Sequence, residues 1–223
     1  MKISNETLAI LKNFASINTN IFFRQGNIIS TISSADAIFA RAKIKETIPN
    51  EFAVYDLNSL LATLTLIENQ NIEFGDNKLV ISSERGTFEY FYSSPDVVKK
   101  APEKTIDHVS VFSFKLAAED IQMVMKAANV TKAPYISVIC KDQSVSLVVS
   151  DRKNNSSNNF KKTLGTAFND FDMMFAVENF RVIPDAYEVT VAKMESGKAK
   201  FLYLKHESRD LEYWIAADPI SKI

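Results

Sequence analysis

One cysteine, two histidines and five glycines among 223 residues leave little material for the commonest chemistries. A disulfide framework needs paired cysteines, so none exists. Cys140, inside the apolar run 136–140, reads as a small buried hydrophobe. Gly26, Gly75, Gly86, Gly165 and Gly197 each fall at an expected turn and share no motif, which excludes a glycine-rich phosphate loop. His108 and His206 have no cysteine or carboxylate at ligand spacing, so no metal site is expected. No serine stands in the frame of a nucleophile elbow, and the carboxylates are scattered. Neither a cofactor nor an enzyme is expected. A catalytic site assembled in space from distant residues is the one enzymatic reading left open.

Excess charge is missing too. Lys and Arg number 26 against 27 Asp and Glu, a net charge of -1. Proteins that hold nucleic acid by bulk electrostatics carry a clear positive surplus. Any such role here must rest on local placement of charge, or on topology. No apolar run reaches membrane-spanning length, and the opening residues do not read as a signal peptide. No membrane partner is expected, and an intracellular protein is the expectation. The remainder is ordinary for a globular protein, with 46% hydrophobic and 24% charged residues.

What the chain has instead is a repeated order of elements. Phe52-Ala53-Val54-Tyr55-Asp56 closes a strand and opens a helix, and Phe175-Ala176-Val177-Glu178-Asn179 reads the same way. Around each junction comes an amphipathic helix, alternating strands, the junction, then three more strands. Repeats decide architecture before individual elements do. Residues 1–93 form one expected domain, 94–108 a linker marked by Pro95 and Pro102, and 109–223 a second domain.

Within the first domain a helix follows Ser4 to about residue 17, with Leu8, Ile10, Leu11, Phe14 and Ile17 on its apolar face. Residues 21–24 and 27–33 read as a hairpin about Gln25-Gly26, and 37–44 as a strand. Asp56 caps an uncharged helix over 57–67. Residues 71–74, 78–83 and 87–92 complete a meander. The second domain restarts with a strand at 109–115 and a helix over 117–129. Strands follow at 135–141, 144–150, 160–164 and 171–177, with a short helix over 178–183 stopped by Pro184. Strands at 187–194, 199–206 and 211–217 close it. The expected class is α+β, with helices on one side of antiparallel sheets.

Two blocks carry a family resemblance. Ala9-Ile10-Leu11-Lys12-Asn13-Phe14-Ala15-Ser16-Ile17-Asn18 resembles the first helix of the sliding clamps of T4-like bacteriophages, and Ala53-Val54-Tyr55-Asp56-Leu57-Asn58-Ser59-Leu60-Leu61 resembles their second strand–helix junction. The tail Ile215-Ala216-Ala217-Asp218-Pro219-Ile220 is similar to the end of cellular sliding clamps. The resemblance implies a DNA-clamp fold of two similar domains, each with two helices, assembling into a homotrimeric ring. Such a ring encircles double-stranded DNA without reading its sequence and tethers the replicative DNA polymerase. An ATP-driven clamp loader opens it, in the cytoplasm of an infected bacterium, and a part in late transcription belongs to the same picture.

Under that resemblance the polar helix faces become DNA-facing. Lys12 and Lys126 lead, with Asn13, Ser16, Asn58, Gln122, Asn129, Lys132, Asn179 and Arg181 as weaker candidates, and Glu119 departs from an all-positive lining. Lysines on polar helix faces are also what any solvated helix carries. Arg152, Lys153, Lys161 and Lys162 flank an Asn/Ser-rich loop and read first as solvated charge. Val97 and Val98, with Tyr213, Ile215, Ala216, Pro219 and Ile220, are candidates for a partner-peptide pocket. Alternation sets Tyr213 and Ile215 opposite Trp214 and Ala216, so one set lines it. Residues 87–92 are a candidate inter-subunit edge. The competing reading is a non-ring DNA-binding protein that stacks single-stranded bases on its aromatic side chains.

Overall fold

The computed structural model describes residues 1–66, 70–154, 156–197 and 199–223. The chain divides into two compact units, Met1–Lys104 and Thr105–Ile223.

Unit 1 begins with α1 (Asn5–Ile17). Ser4 caps it, its Oγ accepting from the Thr7 amide at 3.2 Å. A second anchor comes from a strand. Glu46 accepts from the Ser4 amide at 2.5 Å and from Thr7 Oγ1 at 2.6 Å, so a carboxylate sits at the positive end of the helix. Burial pushes that carboxyl up, but the hydrogen bonds from Thr7 and Ser4 outweigh it and hold it below its usual range. Ile10, Leu11, Phe14, Ala15 and Ile17 face the core.

Strand pairing departs from the expected hairpin. β1 (Ile21–Phe23) does not pair with β2 (Gly26–Ile32). β2 pairs instead with β3 (Ile38–Ile48), and β1 pairs antiparallel with β4 (Phe52–Val54), Ile21 opposite Val54. All six residues of β1 and β4 are buried. Each therefore needs a partner apolar on both faces, which the half-exposed β2 does not offer. β3 runs four residues past the expected end at 44, because Lys45 and Glu46 disguise a strand whose Ile44 and Ile48 still point inward.

Asp56 Oδ1 accepts from the amides of Asn58 and Ser59 and starts α2 (Leu57–Leu66). Leu57, Leu60, Leu61 and Leu64 are buried. The expected last residue of this helix, Ile67, lies outside the described residues. β5 (Asn71–Phe74), β6 (Lys78–Ser83) and β7 (Gly86–Phe91) form an antiparallel sheet in that order. The segment after it is strapped to unit 1. Ser93 N donates to Ala53 O, Val98 packs on Phe22 and Ala53, Lys99 reaches Asp36, and Arg24 donates to Ala101 O.

Unit 2 holds β8 (Val109–Leu116) and α3 (Ala118–Thr131). Asp120 reaches back to the Ala117 amide at 3.2 Å, and Lys132 ends the helix in the left-handed region. β9 (Tyr135–Lys141) and β10 (Ser144–Ser150) turn at Asp142-Gln143, both at positive φ. With β11 (Phe160–Thr166) and β12 (Phe171–Ala176) they form a sheet ordered β11-β10-β9-β12. β13 (Tyr187–Lys193), β14 (Lys200–His206) and β15 (Leu211–Ala216) pair antiparallel in the order β15-β14-β13-β8.

The second helix of this unit is not there. The repeated junction at Phe175 leads only into a 3₁₀ turn at Val177–Asn179. Beyond it, Phe180 and Val182 are buried while Arg181 is exposed. That is the two-residue alternation of extended chain, and Phe180 leaves the helical region at ψ 58°. Unit 1 thus has two helices and unit 2 one among the described residues. The class remains α+β.

Candidate nucleic-acid interface

The exposed face of α1 is narrow. Capping and packing bury most of it and leave Asn5, Ala9, Lys12 and Ser16 in solvent. Asn13 is half-buried, and Ser16 Oγ donates to Asn13 O at 2.6 Å, so this hydroxyl is committed to its own helix. Lys12 is the one ammonium on this face. On α2, Asn58 is exposed beside Ser59, Ala62 and Thr65, with no charge.

α3 is different. Gln122, Lys126 and Asn129 share its exposed face, flanked by Glu119 and by the exposed Met123 and Val130. At its end the chain turns through Lys132 and Pro134 into β9, while the Val177–Asn179 turn docks opposite, Val177 N donating to Pro134 O at 2.9 Å. Between these walls lies an open groove of about 840 Å³. Lys126, Asn129 and Lys132 line it, joined by Tyr135 and Glu178. No described residue forms a hydrogen bond or ion pair with any of these five side chains.

Sequence reasoning did not single out Tyr135 or Glu178. Tyr135 reads as the first residue of a strand, and the expected helix over 178–183 hid Glu178. The signal available was Pro134, which forces the chain to leave α3 at once and swing Tyr135 beside the helix end. Arg181 and Asn179 do not line this groove. Arg181 Nε donates to Glu178 O at 2.8 Å. Of the four cations near the Asn/Ser-rich loop, Arg152 makes a two-pronged pair with Asp172 at 2.8 and 2.6 Å, and Lys162 pairs with Asp120. Lys153 and Lys161 are exposed.

The peptide-pocket candidates fall into two groups. Val98 is buried in unit 1. Tyr213 and Ile215 in unit 2 are fully buried, and burial also pushes the Tyr213 hydroxyl well up. Trp214 is buried as well, between half-exposed Glu212 and exposed Ala216 on the other face of β15, so only the Ala216 end of that face is open. Ala216, Pro219 and Ile220 are exposed, as is Val97. β7 lies at the edge of its sheet, with Phe88 and Phe91 in solvent.

Both histidines serve the fold. His108 packs against Tyr203, ring centroids 4.9 Å apart. His206 Nδ1 accepts from the amides of Ser208 and Arg209, and Nε2 lies 3.1 Å from Asp185, so the ring organises the β14–β15 turn. Among the described residues no His, Cys, Asp and Glu group is placed to hold a metal, and no helix is long and apolar enough to cross a membrane.

Comparison with known proteins fits this geometry. Residues 4–97 match the family described as DNA polymerase processivity factor. Over 228 residues the chain is 31% identical to a sliding clamp of Vibrio phage KVP40, covering 99% of this chain and 100% of that one. It is 29% identical over 211 residues to a sliding clamp of Enterobacteria phage T4, covering 90% and 92%. In fold it resembles A. fulgidus PCNA, described with the C-terminal region of FEN-1 bound. That match has a TM-score of 0.68 at 12% identity and covers 97% of this chain and 96% of that one.

Proposed function

The chain belongs to the sliding clamps of T4-like bacteriophages, processivity factors rather than enzymes, and from that premise we propose that three copies close into a ring around duplex DNA and tether the replicative polymerase. The observation that carries the proposal is a contrast of charge. The chain is close to neutral overall, yet Lys12 on α1, Lys126 on α3 and Lys132 at the end of α3 have no ion-pair partner among the described residues. A ring holds DNA by topology and needs only a thin lining of cations, since tight phosphate or base contacts retard sliding.

Lys12 and Lys126 face the duplex in this reading, with Asn13, Asn58, Gln122, Asn129, Lys132 and Arg181 contributing weaker contacts, while Ser16 shares the surface with its hydroxyl proton held by Asn13 O. Two units per chain make a six-unit ring from three copies. The contact between copies is head-to-tail, and β7 of one copy lies beside an edge strand of the next. The exposed Phe88 and Phe91 support this, because a flat aromatic edge otherwise invites aggregation. An ATP-driven loader opens the ring in the cytoplasm of the infected host. Client tails dock near Ala216, Pro219 and Ile220. The PCNA described with a C-terminal peptide bound supports docking of short tails.

Topology gives the test. The protein is loaded on a nicked circular plasmid with polymerase and loader, and retention is read before and after a single restriction cut. Retention on the circle and rapid loss from the linear form is the expected result. Equal retention on both forms supports the non-ring reading instead.

A further inference from the structure

We propose that the groove at the end of α3 seats a single backbone phosphate and that Glu178 holds its grip down. The inference rests on the clamp reading and deepens it. Four donors line it, none with a partner among the described residues: the ammoniums of Lys126 and Lys132, the Asn129 amide and the Tyr135 hydroxyl. Donors of this kind hold phosphate oxygens without reading sequence. Nothing comparable is offered by the helices of unit 1, where α1 has Lys12 alone and α2 no charge.

The groove also contains what a tight phosphate site excludes. Glu178 stands on its rim as an exposed carboxylate with no cation paired to it among the described residues. Its place is fixed. The turn that carries it is tied by Val177 N to Pro134 O and by Phe180 N to Val177 O, each 2.9 Å, and Phe180 is buried beneath. The carbonyl end of α3 adds partial negative charge on the same side. Two lysines against one glutamate leave a single net positive charge facing a phosphate. A clamp that must pass from phosphate to phosphate needs this kind of shallow well.

The test compares Glu178→Gln, Glu119→Gln and Tyr135→Phe with the unaltered protein. Binding to a short blunt-ended duplex is titrated by fluorescence anisotropy from low to moderate salt. Removing one like charge about 7 Å away in water raises affinity about two- to threefold at low salt, an effect that fades as the screening length shortens. E178Q shows this gain, E119Q, outside the groove, shows less than half of it, and Y135F binds more weakly. E178Q binding no tighter than E119Q, or no measurable duplex binding by the unaltered protein at low salt, overturns the proposal. Processive synthesis on primed circles is scored in parallel. A protein that is processive while E178Q is unchanged retains the clamp reading and loses this one. A protein that is not processive loses the clamp reading itself.

Discussion

Replacing Glu46 by Gln tests how α1, and with it Lys12, is held in place. The carboxylate accepts from Ser4 N at 2.5 Å and Thr7 Oγ1 at 2.6 Å at the start of the helix. A hydrogen bond to a charged group contributes about 1.5–3 kcal/mol and a neutral one about 0.5–1.5 kcal/mol, so the exchange loses roughly 1 kcal/mol per bond. A negative charge at a helix N-terminus adds about 0.3–1 kcal/mol. Gln retains one acceptor but turns an N–H₂ toward the other donor. Together these give about 2–3 kcal/mol of destabilisation at pH 7. The pH dependence follows from the lowered carboxyl. Its folded pKa lies below the ordinary 4.5, so its contribution is present above that value and is lost as pH falls through the folded pKa. Urea unfolding followed by circular dichroism at pH 7 and pH 3 reads both effects. The difference between the two proteins should shrink at pH 3. A difference below about 0.5 kcal/mol at pH 7, or one that does not change with pH, refutes the reasoning.

Phe91→Asp on the free edge of β7 should lower the mass seen by light scattering to one chain while leaving the thermal midpoint of the monomer nearly unchanged, since Phe91 is 58% exposed. An unchanged oligomer removes β7 from the interface. Arg152→Ala should cost about 0.5–1 kcal/mol, because its two-pronged pair with Asp172 is partly solvated. Faster amide exchange in residues 151–159 reports the released loop, and unchanged exchange counts against the pair as its tether. Ile220→Asp, at a 68% exposed position, should weaken capture of a polymerase C-terminal peptide at least tenfold with no change in stability. Undiminished capture moves the client site elsewhere.

What was legible in the chain was what local chemistry decides. Ser4 and Asp56 cap their helices, and the apolar stripe of α1 follows the 3.6-residue period. The Asp142-Gln143 turn stands where alternation broke. The misreadings share a cause, in that tertiary partners overrode a local signal. β1 reads as half of a hairpin but is apolar on both faces, so it pairs with β4 across the intervening β2–β3 pair. Residues 178–183 have helical composition, yet Phe180 and Val182 must both reach the core, which only extended chain allows. At the site, Lys126 and Lys132 were readable as exposed cations near a helix end. Their meeting with Tyr135 and Glu178 was not, because the groove has one wall from α3 and another from a turn more than forty residues later. No periodicity within either segment carries that information.

On the proposed reading, the groove fits a protein that handles DNA without a positive surplus. Affinity for a polyanion rises with the number of phosphates neutralised, each lowering binding about as steeply as the 0.9 power of salt. A ring lined by many free lysines therefore binds strongly and slides slowly. In this chain the surplus is cancelled in place. Lys162 is taken by Asp120, Arg152 by Asp172, Lys45 by Glu6 and Lys115 by Glu207. These pairs are exposed or half-exposed and contribute little to stability. Their larger effect is electrostatic, because they withdraw cations from the field a passing duplex feels. The few lysines on α1 and α3 with no partner among the described residues then act alone, and the pair at the end of α3 has a carboxylate beside it. Under this view, breaking a surface pair should disturb sliding more than folding. Asp120→Asn removes the charge that holds Lys162 and keeps one side-chain oxygen to accept from the Ala117 amide. It should slow one-dimensional diffusion on stretched DNA severalfold while costing at most about 1 kcal/mol of stability. Diffusion that stays as fast as in the unaltered protein means the pairs do not govern the grip.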